Sequence, residues 1–324
     1  MCGFSWRSVL ALWLSRPCRA EHNAAMSSLA SSAWRNGLIG VLIFSGSLPA
    51  TRVAVAALDP WFVTWARAAI AGLLAGGLLL VLRQPWPRRD ELPALALVML
   101  GVVVGFPLFS ALALQRVSSA HALVFVGLLP LATAGFAVLR GGERPRPAFW
   151  LFALLGSALV LGYALRRETA ATGFGVGDAW MLAAIAVCGF GYAEGARLSR
   201  RLGGWQTICW ALLLALPLML PLAWRTRPAT PPPAAAAWAA LAYVSLFSML
   251  LGFVFWYRGL AQGGIAAVGQ LQLLQPLFGL LLAGLLLGET VEPAMIGVAV
   301  AVALCVAAAR RHGARPAPAA AVET

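Results

Sequence analysis

The sequence predicts an all-α integral membrane protein with ten transmembrane helices, built as two inverted-topology repeats of five. Three observations predict it: an extreme apolar composition, ten apolar runs set apart by short polar punctuation, and an internal repeat. Of the 324 residues, 61% are hydrophobic and 11% charged, and mean hydropathy is +0.84. Soluble domains are about 45–50% apolar and about 25% charged. A disordered chain would need the opposite bias. Ten spans of roughly 20 residues each leave only short loops and two modest tails. No room remains for a separate soluble catalytic domain.

The spans fall at 36–57, 61–82, 92–114, 119–139, 148–166, 178–197, 205–224, 235–257, 265–287 and 293–309. They are separated by turn formers and arginines, such as Asp59-Pro60, Arg140 to Pro147 and Arg200 to Gly204. Residues 1–34 form an N-terminal cytoplasmic tail, 35–167 the first repeat, 176–310 the second, and 311–324 a C-terminal tail. Met26, ahead of a Ser/Ala-rich leader, is an alternative start, with residues 1–25 otherwise a disordered tail.

All 24 basic residues are arginine, and the net charge is +13. The arginines lie between apolar runs rather than along one stripe, so they are read as topology and headgroup contacts and not as a nucleic-acid surface. With the N-terminus inside, 17 of the 24 fall on the cytoplasmic side and 5 on the other. The positive-inside rule then places both termini in the cytoplasm. The composition points to a bacterial inner membrane. Five dispersed cysteines make no CxxC pair, so neither a disulfide nor a metal site is expected.

The repeat is ungapped at an offset of 146. Residues 128–148 match 274–294 at nine of 21 positions, including Pro130, Glu143 and Pro147 against Pro276, Glu289 and Pro293. Each half then has five spans, an odd number, so the halves insert with opposite orientation. That architecture is typical of secondary transporters, which hold substrate near the midplane. Pro130 and Pro276 loosen helices in mid-span. Gly142 and Gly288 suit a helix end that needs positive φ, and Pro147 and Pro293 suit a helix start. Glu143 and Glu289 lie at the membrane edge, where binding of backbone donors near a helix N-terminus is the expected role.

These residues resemble the drug/metabolite transporter superfamily, specifically its EamA-type permeases with two five-helix repeats. The likeness runs through residues 113–120 into Leu129-Pro130 and Gly142-Glu143, and through Gly259-Leu260-Ala261 into Gln275-Pro276 and Gly288-Glu289. The Asp59-Pro60 loop with Trp65-Ala66-Arg67 is similar to the family's proline-to-arginine segment. Ser45 to Arg52 departs from the tryptophan-containing start of many relatives. The resemblance implies a permease for a small metabolite, often exporting amino acids, with no organic cofactor. The partners expected are a small-molecule substrate and the lipid bilayer, with no nucleic acid; a homodimer is admitted.

Polar groups in hydrocarbon are default functional hypotheses. Arg67, Gln272 and Gln275 are candidate substrate contacts, the last two sharing a helix face with Gln275 beside the loosened turn. Phe106 and Phe109 flank Pro107 at mid-span and, with Tyr243, give an aromatic wall suited to a small organic ligand. Trp256 and Tyr257 read instead as an interfacial belt. Glu194 is the candidate coupling or gating acid, with an i,i+3 ion pair to Arg197 the plainer alternative. His121 is a candidate proton-coupling group, its pKa near ~6.5 suiting that role. Arg52 reads as an interfacial anchor.

A facilitated-diffusion carrier for drugs, nucleosides or lipid precursors stays open, as does a membrane assembly partner without transport. An intramembrane enzyme would need a catalytic cluster such as HExxH, paired aspartates or GxSxG, and the sequence has none. A Walker A sequence for an ATP-driven pump is also missing.

Overall fold

The computed structural model describes residues 24–117, 119–167, 175–229, 235–287 and 293–312, and every regular element among them is helical. By length and composition, six helical stretches can cross a membrane: Ser31–Val55, Pro60–Val81, Arg89–Leu114, Val176–Leu202, Gly204–Arg225 and Ala235–Gly263. Leu129–Leu139, Pro147–Leu159 and Val300–Ala309 are shorter apolar helices.

Helix α1 (Ala24–Ser45) starts twelve residues before the expected first span, because the Ser/Ala-rich leader contains no breaker and simply continues the helix. It breaks at Gly46 and resumes as α2 (Ser47–Val55). Asp59 caps α3 (Pro60–Val81), its carboxylate accepting from the backbone N–H of Trp61 at 2.8 Å and Phe62 at 3.2 Å. Pro60 at the first helical position costs no hydrogen bond.

The next span is not a uniform α-helix. Helix α4 (Leu92–Val98) passes through a π segment, Met99–Gly105, into α5 (Phe106–Leu114). Pro107 has no N–H to give the Val103 carbonyl, which fits a widened register at this point. Helix α6 (Ser119–Val126) turns at Gly127-Leu128 into α7 (Leu129–Leu139). Pro130 therefore sits at the start of a second helical piece instead of kinking one continuous span. Helices α8 (Pro147–Arg167), α9 (Val176–Leu202) and α10 (Gly204–Arg225) follow.

The later spans are interrupted in the same way. Helix α11 (Ala235–Tyr243) runs through a π segment, Val244–Leu251, into α12 (Gly252–Gly263). Helix α13 (Ile265–Gly269) tightens to a 3-10 turn, Gln270–Leu274, before α14 (Gln275–Leu287). Helix α15 (Pro293–His312) closes the described chain.

Packing pairs α3 with α10, α1 with α12, α8 with α15, and α9 with α5 and α7. Two contacts depend on glycine. A Cβ on Gly259 would lie 2.8 Å from the Gly37 nitrogen, and one on Gly101 would lie 2.9 Å from the Gly191 Cα. Backbones can approach that closely only without side chains.

Trp256 and Tyr257 correct the sequence reading. Both are fully buried, and the Tyr257 hydroxyl donates to the Gly191 carbonyl at 3.1 Å. They pack between α12, α1 and α9, because α12 continues to Gly263 and carries them inward from the helix end.

Candidate functional site

The break in the first span organises the polar centre. At Gly46 the chain changes helix, and the two carbonyls just before it take side-chain donors. Tyr243 Oη donates to the Ile43 carbonyl at 2.6 Å, and Gln275 Nε2 to the Phe44 carbonyl at 3.4 Å. A Cβ on Gly46 would lie 2.5 Å from the Tyr243 hydroxyl, so a glycine there admits it. Just after the break, the Ser47 and Ser248 hydroxyls are hydrogen-bonded to each other. Arg67 Nη2 in turn donates to Ser248 Oγ at 3.3 Å. The cluster thus joins α3, the restart of the first span, and the π segment Val244–Leu251.

Arg67 is 3% exposed, and its Nε is buried with no hydrogen-bond partner. Gln270 and Gln272 are fully buried, with both side-chain polar atoms unpartnered. Gln275 Oε1 and Thr133 Oγ1 are unpartnered as well. Buried polar groups are normally satisfied, and leaving one unpaired costs about 1–3 kcal/mol. In a 3-10 turn, side chains three residues apart eclipse, which puts Gln272 and Gln275 on one face and Gln270 on another.

The structure brings Arg67, Tyr243 and Gln275 together around residues 43–48. Gln272 lies one turn from Gln275. Phe109 is elsewhere, stacked on Trp180 of α9 with ring centroids 5.5 Å apart. Phe106 packs against the apolar core at the end of the first π segment. Ser47 and Ser248 were not among the sequence candidates. A serine in an apolar run carries little signal, and the π segment that aims Ser248 has no sequence period. The Ser45-Gly46-Ser47 departure was the available clue.

A second polar network closes one end of the bundle. Gly142, at φ +64°, turns the chain after α7. Glu143 then reaches the N-terminus of α13, accepting from Ile265 N at 2.7 Å and Ala266 N at 2.9 Å. Its third partner is Arg200 at 3.0 Å. A carboxylate on a helix N-terminus is favourable. Glu194, 1% exposed, is held by Arg140 and, at 3.1 Å, by Arg197. Arg201 adds contacts to Asp90 at 3.1 Å and Glu91 at 3.6 Å.

At the opposite end, Arg52 donates to the Leu114 carbonyl. A cavity of about 610 Å³ opens there between Arg52, Val55, Ala56, Gln115 and Arg116. Pro147 starts α8, and Pro293 starts α15. Pro276 is buried in the first turn of α14. The His121 side chain, Glu289 and residues 1–23 lie outside the described residues.

Comparison with known proteins gives the geometry a context. The model of the EamA-like transporter family matches twice, at residues 36–164 and 175–309. An uncharacterized transporter of Bacillus subtilis, YdeK, is 65% identical over 289 residues, covering 87% of this chain and 98% of that protein. The aromatic amino acid exporter YddG of Ancylobacter novellus is 28% identical, covering 78% of this chain and 88% of its own. An S-adenosylmethionine/S-adenosylhomocysteine transporter of Chlamydia trachomatis is also 28% identical, covering 80% and 83%. A solved crystal structure superposes with a TM-score of 0.67 at 24% identity, covering 86% of this chain and 96% of its own. At that identity the likeness establishes the fold alone.

Proposed function

The chain belongs to the EamA-like transporter family, and from that premise we propose a secondary transporter of small metabolites, amino acids or related compounds first among them, working by alternating access between two inverted five-helix repeats. It is a multi-pass membrane transporter and not an enzyme. The observation that carries the proposal is a set of buried polar side chains with unpartnered atoms: Arg67, which faces the Ser47–Ser248 pair beside the Gly46 break, and Gln272 and Gln275 at the 3-10 turn of the ninth span. Interrupted helices at the midplane are how transporters present backbone and polar groups to a substrate.

Several features support ten helices in two inverted repeats. The π segments Met99–Gly105 and Val244–Leu251 recur at about the sequence offset of the Pro-Glu-Pro frame. So do the turn before Leu129 and the 3-10 turn before Gln275. The family model matches once in each half. The helix pairings are preserved when each span is exchanged for the one five places along.

Arg67, Gln272, Gln275 and Tyr243 would contact substrate, with Phe106 and Phe109 as an outlying aromatic wall. The arginine distribution supports a bacterial inner membrane with both termini and the Glu143 end cytoplasmic. The ion pairs Arg140–Glu194 and Arg200–Glu143 then tie the two halves at the inside, and the pocket beside Arg52 faces outside. Glu194 is the proposed gating residue, and His121 a coupling candidate. The names of two distant relatives favour an amino-acid or related substrate.

The test is uptake of labelled amino acids by proteoliposomes loaded with unlabelled amino acids, with and without an imposed pH gradient. Saturable uptake is expected. Accumulation only with the gradient would make the carrier proton-coupled, and equilibration without it would make it facilitative. Folded protein that moves no amino acid would overturn the substrate reading.

A further inference from the structure

We infer that Arg67 is the counter-ion for a carboxylate of the substrate, so that the site selects molecules carrying one anionic carboxylate. This rests on the transporter reading above and narrows it.

Charge accounting leads there. Arg67 lies deep in the helix bundle, and burying a cation without an anion is strongly unfavourable. Its hydrogen-bond partner is a neutral hydroxyl, Ser248 Oγ, at 3.3 Å, and Nε has none. The acids among the described residues are engaged elsewhere. Asp59 caps α3, and Asp178 binds the Gly175 N–H at the start of α9. Asp90 and Glu91 face Arg201, Glu143 holds Arg200, and Glu194 holds Arg140 and Arg197.

The one hydrogen bond Arg67 makes, to Ser248, leaves its charge unbalanced. The carbonyls beside the Gly46 break already have donors in Tyr243 and Gln275. Nor does the fold ask for a cation there. Aligning the two 22-residue helices α3 and α10 by their first residues puts Ala211 opposite Arg67. At the repeat offset, Val102 stands opposite Ser248, Val126 opposite Gln272 and Leu129 opposite Gln275. Each of these polar residues, Arg67 in the first repeat and Ser248, Gln272 and Gln275 in the second, thus has an apolar counterpart in the other.

The guanidinium fork suits a carboxylate taken side-on through two N–H groups. One cation balances one negative charge, which disfavours a phosphate dianion. A carboxylate arriving at Arg67 would replace Ser248 as its partner. Gln275 bonds the Phe44 carbonyl, three residues before Ser47 on the first span, and its unpartnered Oε1 is an acceptor for an ammonium group.

The experiment is a thermal-shift and competition panel on the purified full chain. The probes are the twenty amino acids and S-adenosylmethionine, each beside its carboxamide or methyl ester. Wild type should bind at least one acid about tenfold or more tightly than its amide. Arg67→Gln should bring that ratio near one, and Arg67→Lys should keep part of it. Equal binding of acid and amide by wild type, or an unchanged ratio in Arg67→Gln, would overturn the inference. Binding confined to compounds without a carboxylate overturns it alone and leaves a transporter standing. Binding by no compound overturns it together with the amino-acid reading. Should Arg67→Gln not fold, the wild-type ratio and Arg67→Lys decide.

Discussion

Glu143 shows how much one residue can hold. Its carboxylate spans two N–H groups at the start of α13 and the Arg200 guanidinium, at the junction of three segments distant in sequence. Glu143→Gln keeps the shape but loses the charge on all three contacts. Hydrogen bonds to charged groups contribute about 1.5–3 kcal/mol each, and Arg200 is partly exposed and can rehydrate. The expected net loss is ~2 kcal/mol, read as a lower Tm of the detergent-purified protein. An unchanged Tm would refute the structural role. The Gly-Glu turn was legible in the sequence, and the positive φ of Gly142 matches it. The partner helix was not, because it lies 122 residues on and no local pattern encodes it. Glu194 divides the same way: Arg197 was readable from i,i+3 spacing, Arg140 was not.

Elements were legible where hydropathy alone sets them. Apolar runs bounded by arginine and Asp-Pro gave α3 and α10 nearly to the residue. The interruptions were not legible. A π segment changes hydrogen-bond register without changing composition, so Met99–Gly105 and Val244–Leu251 read as uninterrupted spans. The error over Trp256 and Tyr257 came from fixing the helix end several residues early. At this scale the glycine contacts are the exposed point. Gly259→Leu or Gly191→Leu should abolish the monodisperse peak in size-exclusion chromatography, since a side chain there meets backbone. Gly77→Ala, with open space around it, should leave the peak intact. A normal peak for both leucine variants would mean that these helices need not pack so closely.

At the scale of the whole molecule, ion pairs tie the structure at the Glu143 end, and a pocket of five residues indents it at the Arg52 end. The tie is electrostatic and partly exposed on its arginine side, the kind of contact that can be made and broken in a cycle. Glu194→Gln should weaken it and raise the fraction open at that end, speeding alkylation of buried Cys188, six residues away on α9. An alkylation rate equal to wild type would argue against a gating role. The central claim is motion between the halves, and cross-linking them tests it most directly. Asp90→Cys/Arg201→Cys, one exposed residue from each half, 3.1 Å apart in the native ion pair at the tied end, on a background without native cysteines, would be treated with a bismaleimide in proteoliposomes and assayed for amino-acid uptake. The account predicts uptake before treatment and none from the cross-linked fraction. Undiminished uptake by fully cross-linked protein would contradict it.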